Sequence, residues 1–185
     1  MSNEVAEIAR ELKTCLKQFP NFPQEGILFE DFLPIFANPD SFRKLVKAFQ
    51  LHLEDKKVDY IVGLESRGFL FGPALALALN AGFIPVRKPG KLPGPTFSAE
   101  FQKEYGSDKF EIQQDVIPKD ASIVIVDDIL ATGGSASAAG ELVSKAGAKV
   151  IEYLFVMELD FLKGRDKLDA PTFTLLSGQI EKLKN

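Results

Sequence analysis

Residues 123–135 constrain this chain more tightly than any other stretch. Ile123-Val124-Ile125-Val126 is β-branched throughout, a run that suits a central strand covered on both faces. Asp127 and Asp128 follow at once, so the pattern predicts a strand that ends on two adjacent acids. Packing has no use for such a pair, whereas the carboxyl edge of an open α/β sheet is where ligands bind. The turn Ala131-Thr132-Gly133-Gly134-Ser135 then offers backbone N–H groups, two glycines and two hydroxyls at a predicted helix start, which is a ready anion site. Acids suited to sugar hydroxyls beside a nest suited to phosphate imply a binder of a ribose 5-phosphate group. The blander alternative, a strand and helix joined by an acidic turn, requires glycines, hydroxyls and paired acids to coincide without cause.

The rest of the pattern supplies a sheet for that edge. A first helix is predicted from Asn3 to Gln18, with Val5, Ile8, Leu12, Cys15, Leu16 and Phe19 at helical spacing. Residues 19–26 are turn-rich and cannot form a central strand, and residues 27–32 are short and extended. Asn38-Pro39 reads as an N-cap and first-turn proline opening a helix to about Glu54. His52, the only histidine, falls off the apolar stripe of that helix and reads as a surface residue. Tyr60–Leu64 is a strand, followed by the loop Glu65-Ser66-Arg67-Gly68, a helix to Asn80, and a strand from Ile84 to Arg87. Strand, helix, strand in this order predicts a parallel sheet with right-handed crossovers. Thr96–Phe101 and Lys109–Ile112 can pair as a hairpin, and a long exposed excursion at such a place is more often a functional lid than filler. A helix from Ser135 to Ala146 and strands Val150–Met157 and Thr172–Leu176 complete the series.

Composition removes several classes of function. A chain of 185 residues fits one domain. Its formal net charge of −4 argues against nucleic-acid binding by bulk charge. The single cysteine, Cys15, leaves no intramolecular disulfide and suits a reducing compartment. The N-terminal stretch is charged and reads as no secretory signal. The apolar run Phe69–Ala81 is too short for a membrane span, which needs about 20 residues.

Two further loops carry charge suited to a polyanion. Arg67 would present a planar fork of donors, with Gly68 allowing close backbone approach; the alternative is a surface arginine near a helix start. Arg87-Lys88-Pro89-Gly90-Lys91 is basic within an acidic chain. Alone it reads equally well as a solvated face; beside a phosphate loop it reads as a pyrophosphate clamp. Glu104 taken alone is a surface carboxylate.

Residues 123–135 resemble the phosphoribosyl pyrophosphate (PRPP) motif of the type I phosphoribosyltransferases: an apolar strand, two acids, then Thr-Gly-Gly-Ser. Arg87-Lys88-Pro89-Gly90-Lys91-Leu92-Pro93-Gly94-Pro95 followed by Glu104-Tyr105-Gly106 resembles the adenine branch of that family. Phe22-Pro23 with Gly26, the stretch Gly63–Pro73, Glu158-Leu159 and Leu162-Lys163-Gly164-Arg165 agree. The resemblance covers nearly the whole chain and is closest to fungal members. It implies an α/β fold with a mostly parallel central sheet and helices on both faces, in a single domain over residues 1–185. Residues 1–35 would include a base-covering hood, and residues 88–112 a flexible catalytic lid.

The resemblance also implies roles. Asp127 and Asp128 would hold the ribose hydroxyls, and Ala131, Thr132, Gly133, Gly134 and Ser135 the 5-phosphate. Ser66, Arg67, Arg87, Lys88 and Lys91 would bind pyrophosphate. Leu28, Phe29 and Leu159 would sandwich adenine, with backbone groups near Leu28 and Glu30 reading its edge. Glu30 stands where many animal members have Arg, and Glu65 where some have Asp. Glu104 would act as general base, and Mg²⁺ would be held mainly by PRPP and water. The implied reaction joins adenine to PRPP, giving AMP and pyrophosphate in purine salvage. The implied assembly is a homodimer in the cytoplasm, a location compatible with the nucleus too, with Phe32, Phe36, Phe69 and Phe71 available to the interface. No nucleic-acid or membrane partner is expected.

Other readings remain within view. A phosphoribosyltransferase for xanthine or hypoxanthine would share the Glu65–Gly68 and Asp127-Asp128 loops. A non-catalytic PRPP-sensing regulator would need a DNA-binding domain, and no helix-turn-helix pair or basic stripe precedes the second helix. A nicotinamide dehydrogenase lacks its Gly-x-Gly-x-x-Gly and a P-loop kinase its Gly-Lys-Ser/Thr.

Overall fold

A computed structural model describes residues 2–22, 25, 28–102 and 106–176. Ser2 caps the first helix by accepting from the Val5 N–H at 3.3 Å, and α1 runs Asn3–Lys13 with Val5, Ile8 and Leu12 buried. The helix stops short of Gln18 because the chain leaves it as β1 (Lys17–Pro20), which pairs antiparallel with β2 (Leu28–Asp31). All four residues of β1 are exposed, so no apolar alternation announces the strand. A short helix α2 (Leu33–Ala37) leads into α3 (Pro39–His52), where Asn38 accepts from the N–H groups of Asp40 and Ser41, both at 3.0 Å, with Pro39 in the first turn.

The alternating elements then build the sheet. They are β3 (Tyr60–Leu64), α4 (Gly72–Ala78), β4 (Gly82–Val86), an antiparallel hairpin of β5 (Thr96–Gln102) and β6 (Ser107–Gln113), β7 (Ser122–Leu130), α5 (Gly134–Lys145), β8 (Lys149–Glu158) and β9 (Thr172–Leu176). The five-stranded sheet has the order β4-β3-β7-β8-β9, and every pairing in it is parallel. From β3 the chain crosses outward to β4, and from β7 it crosses the other way to β8. The order reverses between β3 and β7, and a crevice outside the carboxyl ends of those two strands is where such sheets bind ligands.

Period-two alternation explains how β7 serves two layers. Val124 and Val126 face a cluster with Leu12, Phe49, Phe71 and Leu75, from α1, α3 and α4 and the segment before α4. Ile123 and Ile125 face Ala139, Leu142 and Val143 of α5 together with Ala99, Phe110 and Ile112 of the hairpin. All four β7 side chains have no exposed surface, and full burial of each aliphatic group favours folding by about 1.5–3 kcal/mol. The strand does not end on its acids as the sequence predicts. Its ladder with β8 continues through Asp127, opposite Phe155, to Leu130, opposite Glu158.

Two other expectations change. Phe32 and Phe71 are core residues and Phe36 and Phe69 are half-buried, so these rings do not form an exposed apolar face. The large apolar side chains that do reach solvent include Leu70 and Leu77, the latter 82% exposed. His52 is not a free surface residue: it stacks on Phe173 with centroids 3.6 Å apart, and its Nε2 lies 2.8 Å from Oε1 of Glu152. No described helix is long and apolar enough to cross a membrane.

Candidate active site

The loops leaving β3 and β7 meet at the switch point. Gly68 is needed there, because a Cβ at this position would fall 2.6 Å from the Val126 carbonyl oxygen. The loop therefore lies against the β7 backbone at Val126, with Arg67 beside the acids. Arg67 Nε is 2.7 Å from Asp128 Oδ2, at an angle that makes no directed hydrogen bond. That oxygen is thus buried next to a cation, yet accepts no hydrogen bond among the described residues. Asp127 Oδ1 accepts the Asp128 N–H at 3.0 Å. Burial and the adjacent Asp128 raise the Asp127 pKa well above the usual carboxylate range, and burial raises Asp128 against the pull of Arg67. A ligand that donates hydroxyl hydrogens to this pair would relieve its desolvation.

An open cavity of about 770 Å³ joins these groups. Of the residues singled out from sequence, Ser66, Arg67, Lys88, Asp127, Asp128, Ala131, Thr132 and Ser135 line it. Gly133 and Gly134 form the turn behind that lining. Gly133 has φ of +77°, a conformation that glycine adopts without penalty, and precedes the first turn of α5. The turn therefore delivers its backbone N–H groups to a helix N-terminus twelve residues long. The Glu65–Ser66 peptide bond is cis.

The basic cluster divides. Lys88 lines the cavity and its Nζ is 3.4 Å from Asp108 Oδ2. Arg87 does not line it: Nε and Nη2 lie 3.2 and 3.4 Å from the two carboxylate oxygens of Glu65, and Nη1 donates to the Lys91 carbonyl at 3.3 Å. Glu65 also accepts the Lys88 N–H at 2.9 Å, and this bond together with Arg87 lowers its pKa. Lys91 is exposed and outside the cavity lining.

The hairpin supplies lining that sequence reasoning missed: Phe101, Gln102, Asp108 and Phe110. The available signal was the alternation of Phe97, Ala99 and Phe101, and of Phe110 and Ile112, which marks a strand with one face on the protein. Phe101 and Phe110 are 4.9 Å apart between ring centroids. Lys145 of α5 donates to the Ser98 carbonyl at 2.6 Å and ties the base of the hairpin to the main body. Glu104 lies outside the described residues.

The residues expected at the base do not line the cavity. Leu28, Phe29 and Glu30 are half-buried on β2; Phe29 meets Phe22 edge-on at 5.0 Å, and Glu30 accepts from Gln18 at 3.0 Å. Phe32, just beyond β2, has its ring centroid 5.8 Å from the Arg67 guanidinium carbon. Leu159 is half-buried past the end of β8, and its N–H donates to the Leu130 carbonyl at 2.9 Å.

A parallel sheet whose switch point carries an acidic pair, an arginine and a glycine turn is the ground plan of a nucleotide-handling α/β enzyme. The chain belongs to the phosphoribosyltransferases: the model of the phosphoribosyl transferase domain matches residues 34–182. Within that family its relatives are adenine phosphoribosyltransferases. The enzyme of that name from Candida albicans is 76% identical over 185 residues, covering 98% of each chain, and that from Debaryomyces hansenii is 74% identical over 182 residues, again with 98% of each covered. The crystal structure of the Saccharomyces cerevisiae enzyme, complexed with D-2,5-dideoxy-2,5-imino-altritol 1,6-bisphosphate and adenine, superposes with a TM-score of 0.90 at 68% identity, covering 92% of this chain and 99% of that one.

Proposed function

We propose that this protein transfers the phosphoribosyl group of PRPP to N9 of adenine, releasing pyrophosphate and forming AMP in purine salvage. The observation that carries the reading is the single cavity shared by Arg67, the Asp127–Asp128 pair and the Ala131–Ser135 turn. Each group matches one part of PRPP. The turn offers N–H donors to the 5-phosphate. The acids accept from the ribose 2- and 3-hydroxyls, which gives the orphaned Asp128 Oδ2 a donor. Ser66, Arg67 and Lys88 meet the pyrophosphate, and Arg87 and Lys91 reach it if Glu65 releases its hold.

The reaction breaks the bond from C1 to pyrophosphate and forms the bond from C1 to N9. Positive charge develops at C1, so the protein's task is to hold the reactants in line and stabilise the departing anion. Glu104 takes the imidazole proton from adenine during synthesis and returns it in the reverse direction. Residues 88–112 serve as the lid that excludes water. The Leu28–Glu30 strand and Leu159 cover the base, and adenine selection runs through backbone groups near Leu28 and Glu30. The donor set suits a magnesium ion carried by the substrate. Glu65 and Asp108 are engaged with Arg87 and Lys88, Asp127 and Asp128 are assigned to ribose, and no described cluster of three acids, histidines or cysteines could cage a metal. Bound there, Mg²⁺ supplies charge neutralisation on the pyrophosphate. The working unit is a cytoplasmic homodimer, for which Leu70 and Leu77 offer exposed apolar contacts.

The test is product formation from PRPP and Mg²⁺ with adenine, hypoxanthine, guanine and xanthine in parallel. Strong preference for AMP is expected. Preferential turnover of another base would overturn the adenine assignment, and PRPP binding without turnover would favour a regulator.

A further inference from the structure

The segment after β8 returns to the phosphate turn by a route that the proposed reaction does not itself require. Glu158, the last residue of β8, is only 2% exposed. Arg165 folds back onto it, with Nε donating to Oε1 at 2.8 Å and Nη2 donating to Oε2, while Thr174 Oγ1 donates to Oε2 at 3.3 Å. A planar fork on a buried carboxylate fixes direction as well as distance. The chain between the two partners is therefore a closed loop of set length. It is pinned near its start, where the Leu159 N–H donates to the Leu130 carbonyl, and it turns through Lys163 at φ of +51°.

That loop delivers Gly164 against the turn, backbone to backbone. A Cβ on Gly133 would fall 2.2 Å from the Gly164 oxygen, and a Cβ on Gly164 would fall 2.1 Å from the Ala131 oxygen and 2.8 Å from the Gly133 nitrogen. No side chain stands between the two backbones to absorb a shift. A nest of N–H groups grips a phosphate only while its dihedral angles are held, and displacements near one ångström at such a site cost affinity and rate. The Arg165 side chain is 47% exposed, so solvent screens the pair and stability alone is a weak reason for it.

We propose that Glu158 and Arg165 are positioning residues for the 5-phosphate turn, acting through the Gly164 backbone. The inference rests on the assignment of that turn to the 5-phosphate. The experiment is calorimetric titration of the full chain with ribose 5-phosphate and, separately, with pyrophosphate, for wild type, Arg165→Met, Arg165→Lys and Gly164→Ala. Arg165→Met and Gly164→Ala are expected to weaken ribose 5-phosphate binding roughly tenfold to a hundredfold while pyrophosphate binding, which belongs to the Ser66–Arg67 loop, stays unchanged. Arg165→Lys should recover part of the loss, because it keeps the charge without the fork. A folded variant whose affinities for both ligands are unaltered, or fall together, would overturn the inference and leave the pair a merely structural one. If Arg165→Met does not fold, Arg165→Lys decides the matter, since it keeps the charge and removes only the fork: ribose 5-phosphate affinity equal to wild type would overturn the inference. Wild type that binds pyrophosphate but not ribose 5-phosphate would instead overturn the assignment of the turn.

Discussion

Two buried carboxylate sites stand at opposite ends of the sheet and are treated in opposite ways. Glu152, near the start of β8, is 3% exposed and fully engaged: His52 Nε2 lies 2.8 Å from one oxygen and Lys56 Nζ 2.5 Å from the other. Burial acts to raise its pKa, but His52 and Lys56 overcome that and hold it below the ordinary value. Asp128, toward the end of β7, is equally buried, yet its Oδ2 is left without a directed hydrogen bond and its pKa is raised. A carboxylate that serves the fold is satisfied by the fold. One assigned to a ligand, as Asp128 is in the proposed function, is left short of donors, and its cost is met elsewhere in the core.

The comparison can be sharpened or broken in order of expected effect. The largest concerns a third carboxylate, Glu104, which is assigned to proton transfer alone. Glu104→Gln should lower kcat by about 10²–10⁴-fold with PRPP affinity retained; a parallel loss of PRPP affinity in a binding titration would remove that role. Asp128→Asn should raise the KM for PRPP about ten- to a hundredfold, the worth of a hydrogen bond to a charged group, without lowering the melting temperature. Glu152→Gln should do the reverse, costing about 1–3 kcal/mol in urea denaturation with unchanged steady-state constants for the folded enzyme. If both substitutions moved kinetics, or both lowered stability, the contrast would fail.

The pH dependence supplies a subtler test. Glu152 has a depressed folded pKa, so its stabilisation is present above the unfolded value and is lost as pH falls through the folded one. For Asp127 and Asp128 the folded values are raised, so their contribution is present below the unfolded value and is lost as pH rises through the folded ones. The cost of Glu152→Gln should therefore shrink in acid, while Asp128→Asn should gain on wild type as pH rises above the usual carboxylate range. Urea unfolding across that range measures both, and slopes of the same sign would contradict it. The smallest effect should be that of Arg43→Ala, below about 0.5 kcal/mol, because Arg43 and Asp40 pair on an open surface with side chains 76% and 85% exposed.

The proposed ligand site was far more legible in the sequence than the structural one. The β-branched run of β7, its acids and the glycine turn are contiguous, so local chemistry alone indicated a site. The Glu152 cluster joins residues 96 and 100 positions apart, and nothing local marks His52 as the partner of a buried acid; lying off the apolar stripe, it read as solvated. The grip of Glu65 on Arg87 escaped for the same reason: a basic cluster shows its charge in sequence but not the carboxylate that turns one member aside. β1 leaves no signal because its four residues are all exposed, and the sequence pattern shortens β7 because acids seldom continue a central strand.

The two sites are also connected by a file of rings. Arg67 lies against Phe32, which leads through Phe36, Phe71, Phe49 and Phe173 to His52, with successive centroids 3.6–6.4 Å apart. Every aromatic carbocycle in that file is phenylalanine, and the whole chain has 16 phenylalanines, three tyrosines and no tryptophan. The interior is consequently dark at the red edge of protein absorbance. An indole placed at Phe36, one ring removed from the ring beneath Arg67, would be the sole emitter excited there, and the molecule could be followed optically against a silent background with no extrinsic dye.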